Sequence, residues 1–182
     1  MTKVAKIFTA DGLEEAEALV PFDILRRGGV DVKLVSISDS LTIKGSHGVS
    51  FQAEEFISAQ MSSADLLMLP GGMPGTLNLG ACEVLRNVIA KAAADGKIVA
   101  AICAAPSVLG QMGLLNGRKA TCYPGFESKL TGASCKGERV VKDGNIITGV
   151  GPGASFEFGL TLLAELMGKS AADEVKAQMI IK

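Results

Sequence analysis

Aromatic side chains make up only 4% of this chain of 182 residues, and histidine occurs once. With His47 the sole imidazole, a conventional zinc site would need mixed cysteine and histidine ligands. The four cysteines, Cys82, Cys103, Cys122 and Cys135, lack the close-paired spacing of a zinc knuckle or a thioredoxin-type site. Neither the GxGxxG pattern nor a Walker motif occurs. No metal and no organic cofactor is therefore expected. The 18 basic and 19 acidic residues are interspersed, for a net charge of -1, without a long basic patch or aromatic-basic interleaving. That argues against nucleic acid as a partner. No uninterrupted apolar segment is long enough to span a bilayer. The N-terminal run MTKVAKIFTADGLEEAE meets acidic residues too soon for a secretory signal. The expectation is a soluble, cytoplasmic protein, without membrane association, whose cysteines stay reduced.

Alanine, glycine and branched aliphatics are abundant, which suits close packing of helices on a sheet. The length suits one domain over residues 1–182. Strand-like and helix-like segments alternate. VAKIFTA (4–10), DVKLVSI (31–37), the strand within DLLMLPGG (65–72) and KIVAAI (97–102) read as strands. Residues 12–29, 81–94, 106–115 and the segment ASFEFGLTLLAELMG read as helices, with a short helical tail after the last. Residues 41–57 suggest a small antiparallel excursion, RKATCYP a short strand and FESKLTG a short helix. ERVVKDGNIITGVG suggests a hairpin turning at Asp143-Gly144. Strands apolar on both faces imply an α/β fold with a mostly parallel sheet covered on both sides. In such folds sites gather beyond the carboxyl ends of the strands. Ala10-Asp11-Gly12, Pro70-Gly71-Gly72 and Cys103-Ala104-Ala105 occupy that position.

Cys103 follows a buried strand and precedes Pro106, which suits the first turn of a helix. Small neighbours permit a tight bend, in the manner of a nucleophile elbow, and amides at the helix start would lower the thiol pKa. A buried structural cysteine is the alternative. Leu13, Glu17, Val20 and Ile24 share one helical stripe, with Glu15 pointing elsewhere, so Glu17 falls in an apolar face where burial raises its pKa. Asp11 and Glu14 have the spacing of a capping box, and Pro21 withholds a hydrogen bond from the Glu17 carbonyl. The Gly72 and Ala104 amides are candidates for an oxyanion hole facing Cys103. Residues 149–155 start the last long helix, as an anion site or an ordinary capped turn. No general base stands out, because His47 lies in a GSHG turn and a tyrosine such as Tyr123 cannot replace an imidazole. Tyr123 and Glu127 flank Pro124 at another strand end, and Cys122 reads as core.

The segments ADGLEEAEALVPFDILRRGG, LLMLPGG, AAICAAPSVLG and GPGASFEFGL resemble the ThiJ/PfpI superfamily from residue 3 to about residue 168. They are closest to its Parkinsonism-associated deglycase branch, which includes the bacterial YajL proteins. The resemblance implies a flavodoxin-like three-layer sandwich, also described as class I glutamine amidotransferase-like, and a homodimer to which the first long helix contributes. It also implies a reactive cysteine at Cys103, a protonated glutamate at Glu17 and oxyanion amides at Gly72 and Ala104. The activities it suggests are conversion of methylglyoxal to lactate, repair of early glycation adducts, and chaperone or redox-sensing roles. This chain departs from the branch at Tyr123-Pro124, where a histidine often precedes the proline, which argues against a peptidase or amidase. His47 stands where some relatives bring an arginine to the pocket. The leading expectation is a cysteine-dependent stress-response enzyme acting on small reactive carbonyls through a Cys103 thiolate. The alternative is a cysteine oxidation sensor or redox-regulated chaperone.

Overall fold

The computed structural model describes residues 2–182. Eleven strands and six helices are distinguished along it. In chain order they are β1 (Val4–Thr9), α1 (Glu15–Arg27), β2 (Asp31–Ser36), β3 (Thr42–Lys44), β4 (Ser50–Gln52), β5 (Glu55–Phe56), β6 (Leu66–Leu69), α2 (Gly75–Ala81) and α3 (Glu83–Ala94). There follow β7 (Ile98–Ile102), α4 (Pro106–Gln111), β8 (Lys119–Ala120), β9 (Ser134–Cys135), β10 (Val140–Asp143), β11 (Ile146–Gly149), α5 (Ser155–Met167) and α6 (Lys169–Gln178).

Seven strands form one sheet in the order β10-β11-β7-β6-β1-β2-β5. All neighbours are parallel except β10 and β11, whose antiparallel hairpin turns after Asp143 as expected. The central strands are aliphatic along their whole length because helices cover both faces: all of Leu66–Leu69 is buried, as are four of the five residues of β7. One apolar cluster joins α1, α5 and α6 to the sheet through Ile24, Leu25, Phe158, Leu162 and Val175. A second joins α3 and α4 through Leu85, Ile89 and Leu109. The result is an α/β three-layer sandwich with a mixed but mostly parallel sheet, consistent with the flavodoxin-like expectation.

Several details differ from the sequence reading. The helix expected over 12–29 begins at Glu15, and the capping box does not form. Glu14 makes no side-chain cap, while Asp11 Oδ1 accepts the Lys44 amide at 2.9 Å. The loop instead joins two segments: Gly12 N–H binds Lys44 C=O, and Glu14 N–H binds Gly71 C=O, so residues 10–14 stack on the 70–75 loop. Residues 75–81 form α2, which the Gly- and Pro-containing sequence hides, and the helix after Cys103 ends at Gln111 rather than continuing to 115. The excursion over 41–57 comprises the β3–β4 hairpin, and β5 then rejoins the main sheet beside β2. No helix among the described residues is long and apolar enough to cross a membrane.

Candidate active site

At the carboxyl end of β7 the chain turns abruptly. Cys103 has φ 66°, in the left-handed region that costs a residue with a Cβ about 1–3 kcal/mol. Bonds from distant segments hold that strain: Cys103 N–H donates to Gly149 C=O at 2.9 Å, and Tyr123 N–H donates to Cys103 C=O at 2.8 Å. Ser107 Oγ then donates to Ala104 C=O at 2.7 Å as α4 begins. The bend leaves Cys103 9% exposed.

Glu17 comes to the same point from α1 and is 0% exposed. Gly71 N–H donates to Glu17 Oε2 at 2.9 Å, whereas Oε1 is buried without a hydrogen-bond partner. A bare, charged, buried oxygen is costly, so this environment favours the neutral carboxyl. Burial accordingly pushes the Glu17 pKa up to about 7. Hydrogen bonds from the Cys103 thiol and the Gly71 amide oppose the rise, and the charge on Glu14 adds to it.

The Cys103 thiol moves against the sequence expectation. Burial, then the Glu17 charge and the S–H bond to that carboxylate, push it up to about 12, while the Gly72 and Ala104 amides pull it down. The six-residue α4 is too short to supply a substantial dipole. The two acids form a coupled pair, which sheds one proton easily and holds the second tightly. In its single-proton form the negative charge lies chiefly on the Glu17 carboxylate, with the proton on the Cys103 sulfur beside it.

Gly71 makes this meeting possible. A Cβ built there would lie 2.6 Å from Cys103 Cβ, 2.7 Å from Glu17 Oε2 and 2.9 Å from Ile102 O. Gly72 has φ 86°, and a Cβ there would lie 2.2 Å from Glu14 N and 2.5 Å from Leu13 C, so the loop that presents its amide to Cys103 can pack on residues 12–14 only with glycine. We expect Gly71→Ala to cost about 1–3 kcal/mol and lower the thermal midpoint by roughly 3–10 °C. An unchanged midpoint in a melting experiment would show that the site is looser than this.

The structure thus brings Cys103, Glu17, Gly72 and Ala104 together, and leaves His47 elsewhere. The groups acting on the Cys103 thiol are Glu17, Gly72 and Ala104; His47 is exposed and lies against Glu14 and Glu15. Glu15, read from the helical stripe as pointing away, is buried. Its Oε1 accepts the His47 amide at 2.9 Å and the Val49 amide at 3.3 Å, and its Oε2 lies 3.0 Å from His47 Nδ1. These contacts hold its pKa below the usual carboxylate range despite burial, and the two carboxylates raise that of His47. Glu14, Glu15 and His47 are the group among the described residues whose ligand atoms lie close enough for a metal, within 4.8 Å of one another. The Glu15 oxygens are already engaged in clasping the 45–49 turn.

Tyr123 is half-exposed, and its backbone rather than its hydroxyl contacts Cys103. Cys122 is buried, as expected, and Glu127 caps its own loop by accepting the Gly125 amide at 2.7 Å. The 149–155 segment supplies the carbonyl that fixes Cys103 and then winds through a short 3-10 turn into α5. A groove of about 580 Å³ between α5 and α6 is lined by none of the four converging residues.

Residues 3–165 match the DJ-1/PfpI family. The chain is 42% identical over 184 residues to Protein DJ-1 homolog B of Arabidopsis thaliana, covering 100% of this chain and 42% of that protein. It likewise spans 47% of a second plant homologue, so it is about half the length of these relatives. Glutathione-independent glyoxalase DJR-1.2 of Caenorhabditis elegans is 32% identical over 158 residues, 85% of this chain and 83% of that one. The solved structure of oxidized Toxoplasma gondii DJ-1 superposes with a TM-score of 0.94 at 35% identity, covering 98% of both chains. The similarity establishes the superfamily without singling out the bacterial YajL branch. From residue 3 through most of its last long helix, the chain belongs to the DJ-1/PfpI family.

Proposed function

We propose that the chain is a cofactor-independent cysteine enzyme acting on small reactive carbonyls, with 2-oxoaldehydes such as methylglyoxal as its substrate class. One observation carries the reading: a scarcely exposed cysteine on a strained bend lies beside a buried carboxyl whose pKa is about 7. A group titrating there suits general acid-base work at neutral pH, and supplies the base that a thiol of high pKa lacks. The kinship to a protein named as a glutathione-independent glyoxalase favours the same chemistry.

In the first step the Cys103 proton passes to Glu17 as sulfur bonds to the aldehyde carbon, and the carbonyl π electrons move to oxygen. The Gly72 and Ala104 amides, which act on the sulfur at rest, stabilise the developing oxyanion. Glu17 protonates that oxygen to give a hemithioacetal. The Glu17 carboxylate then takes the C1 hydrogen as a proton, leaving an enediolate with its charge on O2; return of that proton to C2, with the O1 hydroxyl proton passing to O2, leaves a lactic acid thioester. Water cleaves the C–S bond, releasing lactate and the thiol, so that methylglyoxal and water become lactate. Incubation of the purified chain with methylglyoxal, without glutathione, tests the proposal by lactate formation. Turnover should exceed that of an equal concentration of a free thiol; equality with it would remove the enzymatic reading.

A second reading has its own support. Glu17 Oε1 is buried, unpartnered and beside Cys103, so a protonated carboxyl could donate to an oxygen added to the sulfur. This is the environment of a cysteine oxidation sensor. A stable Cys103 sulfinate in a protein with no carbonyl turnover would favour it over the enzyme.

A further inference from the structure

On the far face of the sheet from Glu17, two other cysteines meet. Cys135 in β9 lies opposite Ala120 in β8, in a short parallel ladder continued by Ser134 N–H donating to Arg118 C=O at 2.8 Å. Cys122, two residues beyond Ala120, enters the apolar cluster against which Cys135 also packs, and each thiol shifts the ionisation of the other. The two differ in access. Cys122 is 4% exposed, whereas Cys135 is only partly buried. Both thiols are pushed up, chiefly by burial, but the neighbouring Cys122 favours the thiolate of Cys135, whereas Cys135 disfavours that of Cys122. The reachable sulfur is therefore also the one whose thiolate its neighbour supports.

We propose that Cys122 and Cys135 form a second redox site, a reversible disulfide closed by hydroperoxides and independent of Cys103. The Cys135 thiolate attacks a peroxide oxygen, so that an S–O bond forms, the O–O bond breaks and the leaving hydroxide is protonated to water. The Cys122 sulfur then attacks the Cys135 sulfenic acid. An S–S bond forms, the S–O bond breaks, and a second water leaves with the thiol proton. Two electrons from the thiol pair thereby reduce one hydrogen peroxide to two waters. The location matters because Cys122 lies between Thr121, whose amide binds Thr148 Oγ1 at 2.9 Å, and Tyr123, whose amide supports Cys103. A disulfide ties that support to β9.

Trypsin separates the two sulfurs, because cleavage after Lys119, Lys129 and Lys136 places Cys122 in peptide 120–129 and Cys135 in peptide 130–136. The experiment uses the Cys103→Ser variant of the 182-residue chain, with the unsubstituted chain in parallel, treated with hydrogen peroxide, alkylated, digested and weighed. The expected product is the two peptides joined with loss of two hydrogens, separated again by dithiothreitol. In Cys103→Ser/Cys122→Ser the Cys135 sulfenic acid is instead trapped by dimedone. Both cysteines remaining alkylatable, a cross-link to Cys82 or to a second chain, or Cys135 sulfinic acid without the cross-link would each overturn the proposal. None of these outcomes bears on carbonyl turnover.

Discussion

Replacing Cys103 with serine is expected to lower kcat/KM toward methylglyoxal by roughly 10³-fold, about 4 kcal/mol of transition-state stabilisation, while leaving the fold intact. The substitution nearly preserves volume at a position that is 9% exposed, and the bonds from Cys103 to Gly149 and Tyr123 involve only the backbone. What changes is the acid. A carboxyl that titrates at about 7 can take a proton from a thiol much more readily than from a serine hydroxyl. Steady-state lactate formation is the measurement, with Cys82→Ser as the control, because Cys82 lies at the α2–α3 junction and is not among the groups acting on Cys103. Comparable turnover by the serine variant would locate the chemistry elsewhere.

The second large effect concerns stability. Glu17 releases its proton at about 7 in the folded protein and at an ordinary value near 4.5 when unfolded. Between these values the native state binds more protons than the unfolded chain, so the Glu17 contribution to stability falls as pH rises. It is fully present below 4.5 and lost by the time pH has passed 7. The loss amounts to about 3 kcal/mol, taking 1.36 kcal/mol per pH unit. Glu17→Gln cannot titrate and lacks this slope. Glu15, Glu54 and Asp65, whose pKa values are lowered, contribute stability that is lost toward acid, but they do so in both proteins and cancel in the difference. Urea unfolding at several pH values should therefore show the variant gaining on the parent by about 3 kcal/mol across the window. Parallel curves would mean that Glu17 is not a buried titrating acid.

Much of this architecture is legible in the sequence, and the exceptions have a common cause. β1, β2, β6 and β7 are runs of aliphatics between turn residues, and their burial on both faces demands such runs. Cys103 can be singled out because a buried strand ends there three residues before a helix-starting proline. Its left-handed backbone is not legible, since it depends on carbonyl and amide partners at Gly149 and Tyr123. The direction of the Glu17 shift follows from its place in an apolar stripe. The Cys103 shift does not, because it depends on burial beneath distant segments and then on that carboxyl arriving from 86 positions earlier in the chain. Glu15 escapes a helical-face argument for the same reason: its cover is the 45–49 turn, not a neighbour on α1. Helix α2 is hidden by its glycines and gains its place by packing on the β1–α1 loop, where Gly75 N–H binds Gly12 C=O at 3.1 Å.

The shared proton between Cys103 and Glu17 is tested most directly by the pH dependence of Cys103 alkylation with iodoacetamide, followed by peptide mass, in the parent chain and in Glu17→Gln. A coupled pair predicts a parent rate that rises through an inflection at about 7, where the pair sheds its first proton. In Glu17→Gln that inflection should vanish, and the rate should climb only in the alkaline range of a buried thiol. An inflection at the same pH in both proteins would contradict the dyad and leave Cys103 titrating without Glu17.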